Sequence, residues 1–337
     1  MTLASRCWLG AAPLAAGLVV AAHAGRAQTK APDPAAIWTL QDENASISSS
    51  GLTDRYYVNG LRLGYTSPEN RVPEAANSVA EAIWGGGGTV RLSLDIAQQI
   101  YTPADTSASR PPPGDRPYAG VLLGTLGVLR DTPDNRSFLA VSLGLIGPGS
   151  GAEGLQNGFH DVIGQGHTNG WGDQIHNEPL VQFTSARTWR LPIAPLGAME
   201  TDALPNLTVG LGNERVYALS GVVVRIGQGL DSDYGAARVA PGISGQDAYT
   251  PTRPFAWYVF AGADGQAVAH DITLNGNDFG ASASVSPRPL VGEVEAGLGM
   301  MAYGARLTFT QVFQTQEFMH QKGGLHQFGS LALSMRF

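Results

Sequence analysis

From Ile37 to the end, the chain alternates apolar and polar residues over short runs separated by polar, glycine-rich or proline-containing turns. In TVRLSLDIAQQIYT, residues 89–102, Val90, Leu92, Leu94 and Ile96 fall on one side and polar partners on the other, the period of a half-apolar strand. Runs of this kind predict strands at about Ile37–Ile47, Arg55–Thr66, Thr89–Thr102, Tyr118–Arg130, Ser137–Ile146 and Leu180–Leu191. They continue at Asn206–Asn213, Ala218–Ile226, Phe255–Leu274, Pro289–Met301, Ala305–Glu317 and His326–Phe337, twelve in all. No segment after the first thirty residues offers the roughly 20 apolar residues of a membrane helix. Strands with one face to lipid and one to a lumen would show this alternation. The expected fold is therefore all-β, a transmembrane antiparallel up-and-down barrel of about twelve strands, forming one domain over residues 37–337.

Two stretches break the period. Ser78–Trp84 predicts a brief helix, and Leu143–Pro179 leaves a strand, turns on Gly147, Pro148 and Gly149, and reads as a short helix in an extracellular loop. Ser150 and Glu153 have capping-box spacing. Leu155, Phe159 and Val162/Ile163 make an apolar stripe expected to pack against the protein, with Gln156 and His160, four apart, along its edge. GSGAEG in the same stretch matches G-x-G-x-x-G, but no parallel βαβ alternation follows it, which excludes the nucleotide reading. The proline-rich TPADTSASRPPPGDRP cannot be a helix interior.

Composition narrows the class. Net charge is −7 over 337 residues, without a basic block, so nucleic acid is not a partner. Arg6, an apolar core from Leu9 to Ala22, and small residues before Ala24 and Ala27 predict a signal peptide over 1–27, cleaved after 24 or 27, followed by a linker over 28–36. The one cysteine, Cys7, lies inside it, so the exported chain has no thiol chemistry. In FGSLALSMRF, Leu331, Leu333, Met335 and the terminal Phe337 share a face, resembling the closing strand that the barrel assembly machinery recognises. Export through a Sec-type route to the outer membrane of a bacterium follows, as a monomer. An even strand count with a periplasmic start then brings the end of strand 1, the loop before Asp115 and the helix of His160 to the same outer rim.

Several separated stretches, TDRYYVNGLRLGYTSPE (53–69), GDRPYAGVLLG (114–124), LIGPGSGAEGLQNGFHDVIG (145–164), GWGDQIHNEP (170–179) and WYVFAGADGQAVAHDITLNGN (257–277), together resemble the lipid A deacylase family of outer-membrane enzymes. The resemblance implies a twelve-stranded barrel that hydrolyses the 3′-linked acyloxyacyl ester of lipid A in the lipopolysaccharide of the outer leaflet. It also implies a divalent cation, usually Ca2+. The family's catalytic histidine lies in Q-N-x-x-H, here Gln156, Asn157 and His160, with the amides orienting the site. Its first-strand E-N-D-x-F becomes Glu43-Asn44-Ala45-Ser46-Ile47, which puts Asn44 at the reaction centre and leaves Asp42, Glu43 and Asn44 as cation ligands. Strand alternation lets Asp42 or Glu43 replace the aspartate missing at Ala45 only with a local bulge.

Val58 likewise stands where the family carries a hydroxyl, and Gly166 where some relatives carry a carboxylate. Arg110 is close to a basic position of the family. Asp115 and Arg116 either contact substrate or order their loop, and Trp171 and Gln174 either line substrate or anchor theirs. His167, His176, His270, His320 and His326 share no metal-ligand spacing. Imidazole can take a proton from water, and a bound cation can polarise an ester carbonyl, so the chemistry is self-consistent. There is no G-x-S-x-G elbow for a serine triad. The alternative reading is a catalytically silent barrel that binds lipopolysaccharide, motivated by Ala45 and Val58.

Overall fold

The structure, a computed structural model, describes residues 31–47 and 54–337. The expected signal peptide, the start of the linker and most of the turn after strand 1 lie outside the described residues. The strands are β1 (Ile37–Asn44), β2 (Tyr56–Thr66), β3 (Thr89–Thr102), β4 (Ala119–Asp131), β5 (Asn135–Ile146), β6 (Glu178–Trp189), β7 (Leu191–Leu196), β8 (Met199–Gly212), β9 (Arg215–Gln228), β10 (Phe255–Asp271), β11 (Leu290–Ala302), β12 (Ala305–Gln314) and β13 (His326–Arg336). Two longer helices accompany them, α1 (Glu74–Trp84) and α2 (Ala152–Ile163).

Neighbouring strands pair antiparallel, β1 pairs with β13, and β6 pairs directly with β8. The ring therefore closes on twelve strands, and β7 is an additional short strand flanking β8. Pro192 and Pro195 supply no amide hydrogen, which suits β7 to an edge. The same polar and proline-bearing sequence hid the first half of β8, which starts at Met199 rather than the expected Asn206. β10 stops at Asp271, short of the expected Leu274, because the Asp271 carboxylate accepts the Thr273 N–H at 2.9 Å and caps one helical turn.

Alternation sets the two faces. Leu61, Leu63, Leu94, Ile96, Leu331 and Leu333 are exposed on the outer wall, whereas Gln41, Arg62, Gln182, Arg225, Glu293 and Arg306 are buried inside. Among the described residues the outer wall has no water-excluding partner, and lipid is the solvent it matches.

Residues 229–254, between β9 and β10, run into the lumen from the rim that carries the chain ends and turn back around Val239–Pro241. Arg62 holds Asp247 through contacts of 2.6 and 2.7 Å, and Arg225 holds Asp233 at 2.6 Å. Arg136 donates to the carbonyls of Gly245 and Ala248. These charges are buried, and each is stable there only because it is paired. The inward strand side chains and this segment together occupy the lumen.

Candidate active site

At the rim opposite the chain ends, a cleft of roughly 250 Å³ lies between the outer wall of β1–β3 and α2. Asp42, Asn44, Asp54, Asn59, Gln156 and His160 supply its polar lining, and Val58, Leu61, Ile100, Leu155 and Phe159 its apolar lining.

The wall is shaped by register. β1 and β2 pair Asn44 with Asn59 and Glu43 with Gly60, while β2 and β3 pair Tyr57 with Tyr101 and Asn59 with Ile100, leaving Val58 as a bulge. The extra residue turns Tyr57 into the lumen while Asn59 stays outside beside Asp42. Asn59 Nδ2 donates to Asp42 Oδ1 at 2.7 Å and to the Glu43 carbonyl at 3.2 Å. Asn44 Oδ1 accepts the Ser46 N–H at 2.8 Å, which bends the chain out of β1. The bulge expected in β1 is absent: β1 pairs without a register shift, and Asp42 reaches the cleft side by plain alternation with Asn44, while the bulge that occurs is at Val58 in β2.

Glu43 is therefore not part of the cleft. Its side chain is fully buried on the lumen side, where it accepts from Tyr57, Arg238 and two backbone amides. Ala45 is also buried, in a cluster with Tyr57 and Phe328. Asp42, on the cleft side, is the first-strand carboxylate in position for chemistry.

The local sequence around α2 folds differently from the capping-box expectation. Gly151, at φ +73°, precedes the helix, and the Ser150 hydroxyl donates to the Gly147 carbonyl at 2.7 Å instead of capping an amide. Gly120 on β4 makes this seat: a Cβ there would lie 2.2 Å from Ser150 Oγ and 2.3 Å from Ala152 Cβ. The buried residues of α2 are Ala152, Gln156 and His160, whereas Leu155, Phe159, Val162 and Ile163 are exposed. The apolar stripe is thus left exposed, with Leu155 and Phe159 along the cleft and Val162 and Ile163 beyond it, and the polar stripe packs inward.

His160 is held at both ring nitrogens. Nδ1 is 2.8 Å from the Gly166 carbonyl, which the left-handed Gly164 brings back beneath the ring. Nε2 is 3.0 Å from Asp54 Oδ2. A carbonyl only accepts, so Nδ1 carries a proton; an ionised carboxylate also only accepts, so the Asp54 contact is a hydrogen bond only while Nε2 is protonated, and Nε2 is the ring position that can act as a base once that proton is given up. Gly166 thereby provides with its backbone the acceptor that a side-chain carboxylate could have supplied. Asp54 was missed from sequence because it closes a polar turn, and no periodic signal separates it from an ordinary turn carboxylate.

Gln156 Oε1 accepts the Trp171 indole N–H at 3.1 Å, and the indole can only donate, so the amide's orientation is fixed. Its Nε2 is buried at the cleft with no hydrogen-bond partner among the described residues. Asn157 does not reach the cleft; its Oδ1 accepts the Thr168 N–H at 3.0 Å and ties α2 to the following loop.

The expected substrate contacts lie elsewhere. Arg110 pairs with Asp173 at 3.0 Å on the exposed loop surface. Asp115 accepts the N–H groups of Ala104 and Arg116, both at 2.9 Å, and orders its loop. Arg116 is fully buried, 3.0 Å from Glu317 and over the Tyr101 ring. Trp171 is buried against Tyr118, and Gln174 Nε2 donates to the Trp171 carbonyl at 3.0 Å, so both are loop anchors.

Asp42 and Asp54, with the amide oxygens of Asn44 and Asn59, give a hard-oxygen donor set of the kind calcium takes. Among the described residues no group of three or more His, Cys, Asp or Glu side chains could hold a metal ion.

The family model described as outer membrane protein LpxR matches residues 12–337. Among solved structures, LpxR from Salmonella typhimurium has a TM-score of 0.72 at 21% identity, covering 89% of this chain and 100% of that one. The β domain of the Bordetella autotransporter BrkA gives 0.38 at 11% identity, over 91% of this chain and 99% of that one. The translocator domain of NalP from Neisseria meningitidis gives 0.39 at 12%, over 90% and 88%. No curated protein matches the chain.

Proposed function

Because this chain belongs to the LpxR family of outer membrane proteins, we propose that it is a lipid A 3′-O-deacylase, which hydrolyses the ester linking the 3′ oxygen of the sugar to its acyloxyacyl group. The observation that carries the reading is the meeting, in one outward cleft, of a histidine fixed at Nδ1 and a buried amide whose N–H has no partner.

In this reaction His160 Nε2 takes a proton from water as the water oxygen attacks the ester carbonyl. Asp54 has to draw back from Nε2 to admit the water, and then balances the charge of the imidazolium that forms. Gln156 Nε2 donates to the developing oxyanion; a preplaced donor with no ground-state partner costs no rearrangement at that moment. On collapse the sugar oxygen leaves with the proton from Nε2, giving a free carboxylic acid and a 3′ hydroxyl. Asp42, Asp54, Asn44 and Asn59 would hold a hard divalent cation such as calcium, which when bound supplies positive charge at the ester carbonyl. Val58, Leu61, Ile100, Leu155 and Phe159 give the acyl chain an apolar bed.

The non-catalytic reading rested on the aspartate absent at Ala45 and the hydroxyl absent at Val58. With Ala45 facing the lumen and Asp42 and Asp54 facing the cleft, the first absence does not empty the site of carboxylates.

Mass spectrometry of lipid A from outer membranes expressing the chain or its His160→Ala variant, with and without added calcium, tests the proposal. The acyloxyacyl mass should disappear only with the intact histidine. Equal loss with the variant overturns the assigned base, and an unchanged profile with a folded, inserted wild-type barrel overturns the activity.

A further inference from the structure

We propose that Glu43 and the tip of the lumen segment, Val239 and Ala240, form a buttress that fixes the cleft wall from inside the barrel, which makes Glu43 a positioning residue for the hydrolysis proposed above. The inference rests on that reading for its catalytic consequence and on the lumen geometry for its structure.

Glu43 lies in β1 between Asp42 and Asn44, the two residues of that strand that line the cleft. On the opposite face its carboxylate receives the Val239 N–H at 2.9 Å, the Ala240 N–H at 2.9 Å, the Tyr57 hydroxyl at 2.9 Å, Arg238 Nε at 3.2 Å and Gln41 Nε2 at 3.4 Å. Arg238 is shared between Glu43 and the carboxylates of Glu293 and Glu295, so it is not Glu43's alone. Two backbone amides and a phenol add direction, and together they hold both carboxylate oxygens in place.

Three segments meet at that carboxylate. Tyr57 precedes the Val58 bulge, so its bond to Glu43 ties the irregular part of β2 to β1. Gly60, the β1 partner of Glu43, makes the approach feasible: a Cβ there would lie 1.9 Å from Tyr57 Oη and 3.2 Å from Val239 Cγ1. Arg238 in turn is anchored across the lumen, 3.1 Å from Glu295 and 3.4 Å from Glu293. The chain of contacts runs from β11 through the lumen segment to β1 and ends at the backbone that carries Asp42 and Asn44. Among the described residues, these two are held on the cleft side by neighbours on the same hairpin, Asn59 and the Ser46 amide.

The test compares wild type, Glu43→Gln and Tyr57→Phe as full barrels. Steady-state deacylation gives kcat and KM, and hydrogen exchange followed by mass spectrometry reports on residues 42–45 and 238–241. Heat-modifiable electrophoretic mobility checks assembly. Glu43→Gln should stay assembled, exchange faster in both segments, and lose about tenfold or more in kcat with KM within about twofold, because small displacements of reacting groups are costly. Tyr57→Phe, which keeps the ring and removes one donor, should show a smaller loss of the same kind, and decides the matter if Glu43→Gln fails to assemble. Wild-type kcat in the assembled variants, or a rise in KM alone, overturns the buttress. If wild type itself does not deacylate lipid A, the activity falls, and exchange alone decides: unchanged protection at 42–45 overturns the inference and faster exchange in both segments supports it.

Discussion

Asp54 Oδ2 stands 3.0 Å from His160 Nε2, joining the loop that enters β2 to the last turn of α2. The contact links two segments more than a hundred residues apart and lies at the one basic position of the ring. Asp54→Ala should lower kcat for lipid A about 10- to 100-fold with a small change in KM, as expected when a group that orients and charge-balances an imidazole is lost. Steady-state kinetics on purified barrels check this; an unchanged kcat would remove Asp54 from the mechanism.

Gln156 has two ends with separate duties. Gln156→Glu keeps an oxygen to accept the Trp171 N–H and replaces the unpartnered donor with a second oxygen. Its kcat should fall by roughly 10²–10³, the usual cost of losing one oxyanion donor, and the melting temperature should drop because the new oxygen is buried without a donor. A large drop in melting temperature with kcat retained would show that the residue serves only to anchor its loop.

The apolar stripe of α2 has a readout of its own at Val162, which is 83% exposed and outside the cleft lining. Val162→Asp should leave hydrolysis of micellar substrate unchanged and weaken hydrolysis of lipid A in bilayers about threefold, matching the cost of up to about 1 kcal/mol for a charge on the lipid face near an interface. Equal rates in both assays would place the stripe in water.

At the terminal rim Asp33 gathers the guanidinium groups of two strands, Arg91 of β3 and Arg336 of β13. Burial pushes its carboxyl up, but the Ala35 N–H and the Arg336 and Arg91 guanidinium groups outweigh burial and hold it below the ordinary carboxylate range. A depressed folded value means that the stabilisation is complete above the unfolded value and is lost as pH falls through the folded one. Asp33→Asn should cost about 1–3 kcal/mol near neutral pH, and its deficit against wild type should shrink as pH drops below about 4. Thermal melts of both proteins at pH 7 and pH 3 measure the gap; a gap that widened in acid would contradict the sign.

The barrel was legible because period-2 alternation reports directly on a wall with lipid on one side, as in Thr89–Thr102, whose bounds agree with β3. The spacing of Gln156 and His160 was legible for a similar reason, since both fall on one helical stripe. The meaning of the neighbouring stripe was not. Burial in water sends Leu155 and Phe159 inward, but beside a membrane the preference reverses, and sequence alone does not say which solvent a loop helix meets. Glu43 and Asp42 are adjacent and chemically alike, and only the register of β1 assigns one to the lumen and the other to the cleft. The lumen segment escaped notice because it has little regular structure; its course is set by ion pairs to strands far away in sequence, such as Arg62 with Asp247.

With residues 229–254 packed into its interior, this barrel is a post rather than a conduit. Its cleft opens sideways from the outer wall, so in the reaction proposed above a lipid would reach it by drifting within its own leaflet, and the detached acyl group would re-enter that leaflet without threading the protein. Encounters then occur in two dimensions, and turnover scales with how many lipids crowd each unit of membrane area rather than with any bulk concentration.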